Sequence, residues 1–212
     1  HVCALSDAGG LWCWGANGGA LGDGTTLERT VPVQVVGMDS HVSAVATGYG
    51  HSCALKDDGT VWCWGNNTSG QLGDGSLVNR LQPVAVSGLG MAATSISAGY
   101  AHTCARLSDA SLRCWGLNTN GQLGDGSMQS NSSPVAVSGL GGSTSGVAAG
   151  YAHTCAALNN GAVRCWGSNV YAQLGDGTLM DRATPVSVQG MNTGVTSLAT
   201  GGVHTCATQS DN

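Results

Sequence analysis

Residues 48–65 read GYGHSCALKDDGTVWCWG, and this stretch recurs twice with few changes. The two copies are GYAHTCARLSDASLRCWG at residues 99–116 and GYAHTCAALNNGAVRCWG at residues 150–167. A copy without the first residues, HVCALSDAGGLWCWG, begins the chain, and a copy without the last residues, GGVHTCATQSDN, ends it. Self-similarity at a fixed spacing is typical of proteins built from repeated structural units, so the repeat decides the fold class.

The quoted stretch has the pattern of a β-hairpin. Two runs with β-branched and aromatic residues, SCALK and TVWCW, flank the turn sequence DDG. A three-residue hairpin loop needs one residue in a left-handed conformation, and Gly59 supplies it at no steric cost. This register places Cys53 directly opposite Cys63. The third repeat has Ala110 at the position of Gly59, so we expect its turn to be strained or of another type.

The cysteines follow the hairpins. Eight of the nine cysteines form pairs separated by ten residues: Cys3/Cys13, Cys53/Cys63, Cys104/Cys114 and Cys155/Cys165. Residues that face each other at a non-hydrogen-bonded site of an antiparallel pair lie close enough for a disulfide. We therefore predict one disulfide in each hairpin and an oxidising compartment, with buried thiols in a reduced protein as the alternative. Cys206 has no cysteine ten residues further on, which favours a longer array of repeats.

Composition excludes several classes of function. Only 9% of the residues are charged, the net charge is -5, and basic residues do not cluster, so nucleic-acid binding is not expected. No apolar run is long enough for a membrane span. No nucleophile–base pair, phosphate-binding loop or isolated acid pair stands out. We predict a protein without enzymatic activity and without a cofactor.

The repeat period is 51 residues, as the histidines show: His51, His102, His153 and His204. It divides the chain into units at about 1–41, 42–92, 93–143 and 144–194, with a partial unit at 195–212. Each unit contains a run of small residues such as VSAVAT, the two halves of the hairpin, and a run that begins at proline, such as PVAVSG. Four short strands per unit of this length, with no helical period, predict an all-β protein of four antiparallel β-propeller blades plus a partial fifth.

The motifs GYxHTCAL, VxCWGxNxxGQLGDG and PVxVxGL together resemble the repeat of the regulator of chromosome condensation family. The resemblance covers essentially the whole chain. It implies a β-propeller, which in this family typically has seven blades and is closed by pairing between N-terminal and C-terminal strands. We therefore expect this chain to be a piece of a larger propeller. The alternative is a four-bladed ring in which Val195–Thr200 completes the first blade.

The resemblance leaves the function open, because this family carries several functions on one scaffold. One member is an exchange factor for a small GTPase that depends on an inserted wedge, and the repeats here differ by only one residue in length. Another is a plant ultraviolet photoreceptor with a GWRHT motif, whose tryptophan position holds tyrosine or glycine here, so photoreception is not expected. A third is a secreted bacterial inhibitor of β-lactamases.

Paired cysteines and low charge agree best with a secreted, binding type of protein. We predict a non-catalytic module that is extracellular, periplasmic or at the cell surface and binds a protein or glycan partner through one propeller face. Further repeats of the same chain are a second expected partner. A regulator of a small GTPase or a secreted enzyme inhibitor is the alternative.

Residues that differ between repeats are the candidates for binding, because the shared residues serve the fold. The candidates occupy two slots: Tyr49, Tyr100 and Tyr151 before the hairpins, and Trp12, Trp62, Arg113 and Arg164 within them. These three residue types are the ones most enriched at binding hot spots. We predict a binding face that contains these residues, with the tyrosines on one rim of the propeller. The alternative is that the tyrosines fill gaps between blades.

The shared residues are predicted to be structural. We expect the histidine of each repeat to form a hydrogen bond between blades and the tryptophan of each CWG to pack between blades. The aspartate of each LGDG is expected to form a turn, and the arginines Arg29, Arg80 and Arg182 to hold loop carbonyls. A metal site built from His51, Cys53 and Cys63 is the alternative for the histidines, but a fourth ligand is not evident, so no metal is predicted.

Overall fold

The computed structural model describes residues 1–210, in which every regular element is a β-strand. The strands are β1 (Val2–Leu5), β2 (Leu11–Gly15), β3 (Arg29–Gln34), β4 (Val42–Thr47), β5 (His51–Lys56), β6 (Val61–Gly65), β7 (Arg80–Ala85), β8 (Ala93–Ala98), β9 (His102–Leu107), β10 (Leu112–Gly116), β11 (Asn131–Ala136), β12 (Thr144–Ala149), β13 (His153–Leu158), β14 (Val163–Gly167), β15 (Arg182–Ser187), β16 (Val195–Thr200) and β17 (Thr205–Gln209). The all-β prediction is confirmed. Residues 1–210 contain no helix long and apolar enough to cross a membrane.

The strands form five antiparallel sheets in chain order. Three sheets have four strands, β4–β7, β8–β11 and β12–β15, while β1–β3 form a three-stranded sheet and β16–β17 a two-stranded one. The prediction of four-stranded propeller blades is confirmed. Strand β16 pairs with β17, and within the described residues neither joins the sheet of β1. The unit boundaries remain a prediction, and residues 211–212 of the partial fifth unit lie outside the described part of the chain.

The hairpin register agrees with the prediction from the sequence. Cys53 pairs with Cys63 and Leu55 with Val61, as the three-residue turn requires. Gly59 has a φ of 79°, and Ala110 in the third repeat has a φ of 65°. The third turn therefore keeps the left-handed conformation although its residue carries a Cβ atom, which costs about 1 kcal/mol.

Each of the four predicted cysteine pairs is a disulfide. The Cα atoms of every pair are 4.1 Å apart. This short separation follows from the register, because directly opposed residues at a non-hydrogen-bonded site have the closest Cα atoms in an antiparallel pair. Cys206 is a free, exposed thiol. Since Cys53 and Cys63 are bonded to each other, they are not available as metal ligands, and the alternative metal site is excluded there.

Neighbouring blades are joined through the tryptophan of each CWG. Trp64, Trp115 and Trp166 are fully buried against the preceding blade. Their indole N–H groups donate to backbone carbonyls of that blade: Trp64 to Ala20 at 2.8 Å, Trp115 to Gln71 at 2.9 Å and Trp166 to Gln122 at 2.9 Å. The predicted role of these tryptophans is confirmed. Trp14, in the first blade, is only half-buried.

The histidines also join neighbouring blades, as predicted. The Nε2 atom of each lies within hydrogen-bonding distance of a hydroxyl in the next blade: His1 and Ser52 at 2.8 Å, His51 and Thr103 at 2.9 Å, His102 and Thr154 at 2.9 Å, and His153 and Thr205 at 3.0 Å. The innermost strands β4, β8, β12 and β16 contact one another in that order. The turns that follow these strands are therefore side by side at one end of the blades.

Candidate binding face

The tyrosine turns are shaped by a glycine and a histidine. In the second blade, Gly48, Tyr49 and Gly50 connect β4 to β5, and the Gly48 N–H donates to the His51 carbonyl at 2.9 Å. A Cβ atom on Gly48 would collide with the His51 ring and with the carbonyl of Gly99 in the next blade. Only glycine allows this approach, so the turn is tight and the side chain of Tyr49 extends outward.

The three tyrosines of successive blades form a stacked ladder. The ring centroids of Tyr49 and Tyr100 are 4.7 Å apart and those of Tyr100 and Tyr151 are 4.2 Å apart, with interplanar angles of 31°. Backbone bonds join adjacent turns, since the Tyr100 N–H donates to the Gly150 carbonyl at 3.3 Å and the Tyr151 N–H to the Gly202 carbonyl at 3.0 Å. Tyr49 is 75% exposed and Tyr151 51% exposed. The Tyr151 phenol beside Tyr100 raises the pKa of Tyr100 above its ordinary value.

A shallow groove runs beside the ladder and carries no charge. It is lined by the tyrosines, by the glycines of the same turns, and by the last residues of the inner strands, Thr47, Ala98, Ala149 and Thr200. These residues include no Asp, Glu, Lys, Arg or His. A partner group in this groove would meet aromatic rings, hydroxyls and exposed backbone.

The second candidate slot lies at the opposite end of the hairpin. Trp62 pairs with Ala54 close to the β-turn, and its indole N–H donates to the Thr60 hydroxyl at 3.2 Å. The amine of Lys56 is 5.3 Å from the Trp62 ring centroid. In the same slot of later blades, Arg113 and Arg164 are half-buried, and the Nε atoms of both lack a hydrogen-bond partner within residues 1–210. Trp12 shares this position in the first blade, with 39% exposure.

The structure therefore separates the two predicted sets of binding residues. The tyrosines precede the end of the hairpin where His51 pairs with Gly65, while Trp62 is close to the turn at Gly59. The tyrosines and the set Trp12, Trp62, Arg113 and Arg164 therefore lie on different faces of the propeller. The two sets are distinct candidate surfaces.

The long loops after β2, β6, β10 and β14 start at the same end of the hairpins as the tyrosine turns. In the second blade, one buried amide holds the loop together: the Asn67 side chain donates to the carbonyls of Ser76 at 3.1 Å and Val78 at 3.2 Å, and accepts from the Leu72 N–H at 3.0 Å. Asn118 repeats all three contacts, and Asn169 repeats the bond to the Thr178 carbonyl and the bond from the Leu174 N–H. The role of these asparagines was not predicted, although Asn67 and Asn118 begin the repeated motif NxxGQLGDG.

An ion pair closes three of these loops. Asp74 contacts Arg80 at 2.9 Å, and the equivalent pairs are Asp23–Arg29 at 2.7 Å and Asp176–Arg182 at 2.9 Å. The prediction that these arginines hold loop carbonyls is corrected, because their guanidinium groups bind the LGDG carboxylates instead. Burial alone would raise the pKa of Asp176, but hydrogen bonds from Thr178, Arg182 and Asn169 lower it to about 2.

The loops present apolar side chains outside the ladder. These exposed side chains are Leu27, Leu77, Val78, Met128, Val170, Tyr171, Leu179 and Met180. Exposed apolar side chains that recur in several neighbouring loops are candidates for an interaction surface. These side chains were not predicted as binding residues, although an apolar residue follows every LGDG motif within four positions. We call the ladder and these loop side chains together the tyrosine face.

Comparisons with known proteins agree on one family. The profile of the Regulator of chromosome condensation (RCC1) repeat matches residues 8–55, 58–106, 111–157 and 160–208. A second profile of the same repeat matches residues 42–71, 93–122 and 145–173. The ultraviolet-B receptor UVR8 of Arabidopsis thaliana is 33% identical over 196 residues, which cover 91% of this chain and 44% of the receptor.

Solved structures show the same fold. Human WBSCR16 superposes with a TM-score of 0.86 at 24% identity, over 99% of this chain and 55% of that protein. Prp20p from Saccharomyces cerevisiae, described for its binding to Gsp1p and histones, superposes with a TM-score of 0.81 at 23% identity, over 99% of this chain and 54% of Prp20p. The chain therefore spans about half the length of these three relatives.

Proposed function

The chain belongs to the regulator of chromosome condensation repeat family, and from this membership we propose that it is a non-catalytic module that binds a protein partner through the tyrosine face. The observation that carries the proposal is the exposed tyrosine ladder. Tyr49 is 75% exposed, and a side chain that only filled a gap between blades would be buried. The hydrogen bonds of His51 and Trp64 already join the blades without help from Tyr49.

A protein partner fits this surface better than other classes of macromolecule. Tyrosine offers a large apolar ring and a hydroxyl with little conformational freedom to lose, which is why it is enriched at protein interfaces. The loop side chains Leu77, Met128 and Leu179 extend the surface with aliphatic groups that suit a protein more than a hydrophilic sugar. Prp20p, which shares the fold, binds proteins, so recognition of a protein is compatible with this scaffold.

The disulfides support an extracellular, periplasmic or cell-surface location. Four bridges, Cys3–Cys13, Cys53–Cys63, Cys104–Cys114 and Cys155–Cys165, occur in one domain. Disulfides persist in oxidising compartments and are rare in the reducing cytosol. We therefore expect the protein partner to occur in the same compartment.

Two sets of substitutions test the proposal against the other candidate surface. The immobilised chain is incubated with proteins from its native extracellular fraction, and bound proteins are identified by mass spectrometry. We expect a specific partner to be lost when Tyr49, Tyr100 and Tyr151 are all changed to alanine. The matched variant, in which Trp12, Trp62, Arg113 and Arg164 are changed to alanine, should retain that partner.

Melting temperatures of both variants control for folding. A single hot-spot tyrosine contributes about 2 kcal/mol or more to binding, so the triple variant should lose at least roughly 30-fold in affinity for the purified partner. An equal loss in the matched variant, or binding of glycans on an array in place of any protein, would contradict the proposal.

A further inference from the structure

The ladder of tyrosines stops at a glycine. Tyr49, Tyr100 and Tyr151 occupy the same position of successive repeats, and Gly202 occupies it in the next one. The Gly202 carbonyl accepts the Tyr151 N–H at 3.0 Å, whereas the Tyr100 N–H donates to Gly150, one position earlier in its turn, at 3.3 Å. The turn at Gly202 therefore contacts Tyr151 directly although it carries no ring. A Cβ atom built on Gly202 would meet no atom within 4 Å. The position next to Tyr151 is therefore open.

This gap leaves one aromatic face uncovered. Tyr100 lies between two rings, 4.7 Å from Tyr49 and 4.2 Å from Tyr151, measured between centroids. Tyr151 has a ring on one side only, and 51% of it is exposed. Aromatic rings gain from offset or tilted contact with a second ring at such distances. A fourth aromatic ring above Gly202 would therefore contact Tyr151 at a similar distance between ring centroids.

The side chains around the gap differ from those at the filled positions. After Gly202 comes Val203, where the earlier repeats have Gly50, Ala101 and Ala152. In the facing loop, Val170 and Tyr171 replace the polar pairs Thr68–Ser69 and Thr119–Asn120. Val203 and Tyr171 line a groove with Leu174 and Leu198, and this groove is separate from the one that contains Tyr151 and Gly202. The repeat that lacks the ring therefore carries larger apolar side chains at these positions than the earlier repeats do.

We propose that the gap above Gly202, beside Tyr151, binds one aromatic side chain of a protein partner, which stacks on Tyr151 as the fourth ring of the ladder. This inference rests on the proposed function and specifies the group that is recognised. A guanidinium could also approach the Tyr151 face, but the ladder groove offers no carboxylate for its N–H donors. Buried donors without partners would weaken such binding.

Small amides test the gap without knowledge of the partner. N-acetyl-tryptophanamide is titrated into the chain, and chemical shifts of the Gly201 and Gly202 amides and of the Tyr151 ring are followed by NMR. We expect ring-current shifts confined to these residues. The substitution Gly202→Tyr places a ring from the chain itself in the gap. It should weaken the response by roughly fivefold or more, the contribution of one aromatic pair.

Two matched variants make the result specific. Tyr151→Leu removes the stacking face and should abolish the localised shifts, whereas Gly18→Tyr adds a tyrosine at another open glycine and should leave them unchanged. Larger shifts with N-acetyl-argininamide or cellobiose, or an unchanged response in Gly202→Tyr, would overturn the inference. If a partner is lost in the triple tyrosine variant but is unaffected by Gly202→Tyr, the proposed function stands and this inference alone fails.

Discussion

The Nε2 atom of His51 lies 2.9 Å from the Oγ1 atom of Thr103, in the next blade. The Thr103 hydroxyl donates its own hydrogen to the Gln71 carbonyl at 2.9 Å. Thr103 can therefore only accept from His51, which assigns the proton of the neutral imidazole to Nε2. The Nδ1 atom of His51 is buried without a hydrogen-bond partner in residues 1–210, so a second proton there would be unsatisfied. Burial lowers the pKa of His51 from 6.5 to about 4.

This arrangement predicts that stability falls in mild acid. Burial lowers the pKa of His102 to about 3, with further contributions from the charges of His51 and His153, and lowers that of His153 to about 4. Below pH 6.5 the unfolded chain binds protons that the folded chain does not bind, so stability is complete above pH 6.5 and decreases as the pH falls towards 4. Each buried histidine should cost on the order of 3 kcal/mol over this interval. Urea unfolding at a series of pH values measures it.

Two variants provide the control for this pH dependence. His102→Gln removes one buried histidine and should make the curve shallower, while Thr94→Ser changes an exposed side chain that does not titrate and should leave the slope as it was. Stability that stays constant from pH 6.5 to 4 would mean that the inter-blade histidines are not kept neutral by the fold.

The disulfides predict a simple labelling result. Alkylation of the unreduced, denatured chain should modify one cysteine, Cys206, because the other eight are bonded. The variant Cys206→Ser should then take up no label. Changing Cys104 and Cys114 together to alanine should lower the free energy of unfolding by about 2–3 kcal/mol, since the bridge closes a short loop. Labelling of several cysteines in protein from its native source would contradict the assignment of an oxidising compartment.

The hairpin turns at Ala110 and Gly59 occupy equivalent positions, and their φ angles predict the effect of a Cβ atom on stability. Removing it at Ala110 should stabilise the protein, and adding it at Gly59 should destabilise the protein. Ala110 has a φ of 65°, where glycine is favoured, so Ala110→Gly should stabilise the protein by about 1 kcal/mol. Gly59→Ala should destabilise by more than this amount, because a Cβ atom at that site also comes within 2.5 Å of the Ala92 Cβ. Thermal unfolding of both variants decides the matter, and a loss of stability in Ala110→Gly would refute the strain at this turn.

The third repeat lacks one loop ion pair and can be given it. Asn131 pairs with Gly116 as Arg80 pairs with Gly65, so Asn131→Arg places a guanidinium within reach of Asp125. A partly exposed pair of this kind contributes about 0.2–1 kcal/mol, which predicts a small rise in melting temperature that shrinks at high salt. The reciprocal change Arg80→Asn should remove a similar amount. A melting temperature that is unchanged in both variants would show that these pairs only orient the loops.

Most of the fold could be predicted from the sequence because its determinants are local and repeated. Turn chemistry at Gly59 fixes the hairpin register, and the register brings Cys53 opposite Cys63. The partner of Arg80 was harder to predict, because Asp74 and a loop carbonyl are equally close along the chain. In the folded protein Arg80 binds the Asp74 carboxylate, because the guanidinium stabilises the negative charge in the partly buried loop.

The candidate site could be predicted only in part. The variable positions Tyr49, Tyr100 and Tyr151 were identified, but their stacking depends on the rotation between blades, which results from how Trp115 packs onto Gly73 and its neighbours. That rotation is a property of the packed interior and leaves no periodic signal in the sequence. The separation of Tyr49 from Trp62 was already implied by the hairpin register, because the two positions lie at opposite ends of the paired strands.

Each bond between blades joins one position of a repeat to the next copy, as His51 does with Thr103 and Trp115 with Gln71. Any two blades of this chain therefore present the same complementary pair of surfaces. If residues 93–143 were lost, Trp166 and Thr154 would meet the Gln71 carbonyl in place of Trp115 and Thr103. Unequal recombination between repeats in the gene can thus shorten or lengthen the array without creating a mismatched interface. An event that involves the unit of Tyr49, Tyr100 or Tyr151 adds or removes one ring of the aromatic ladder.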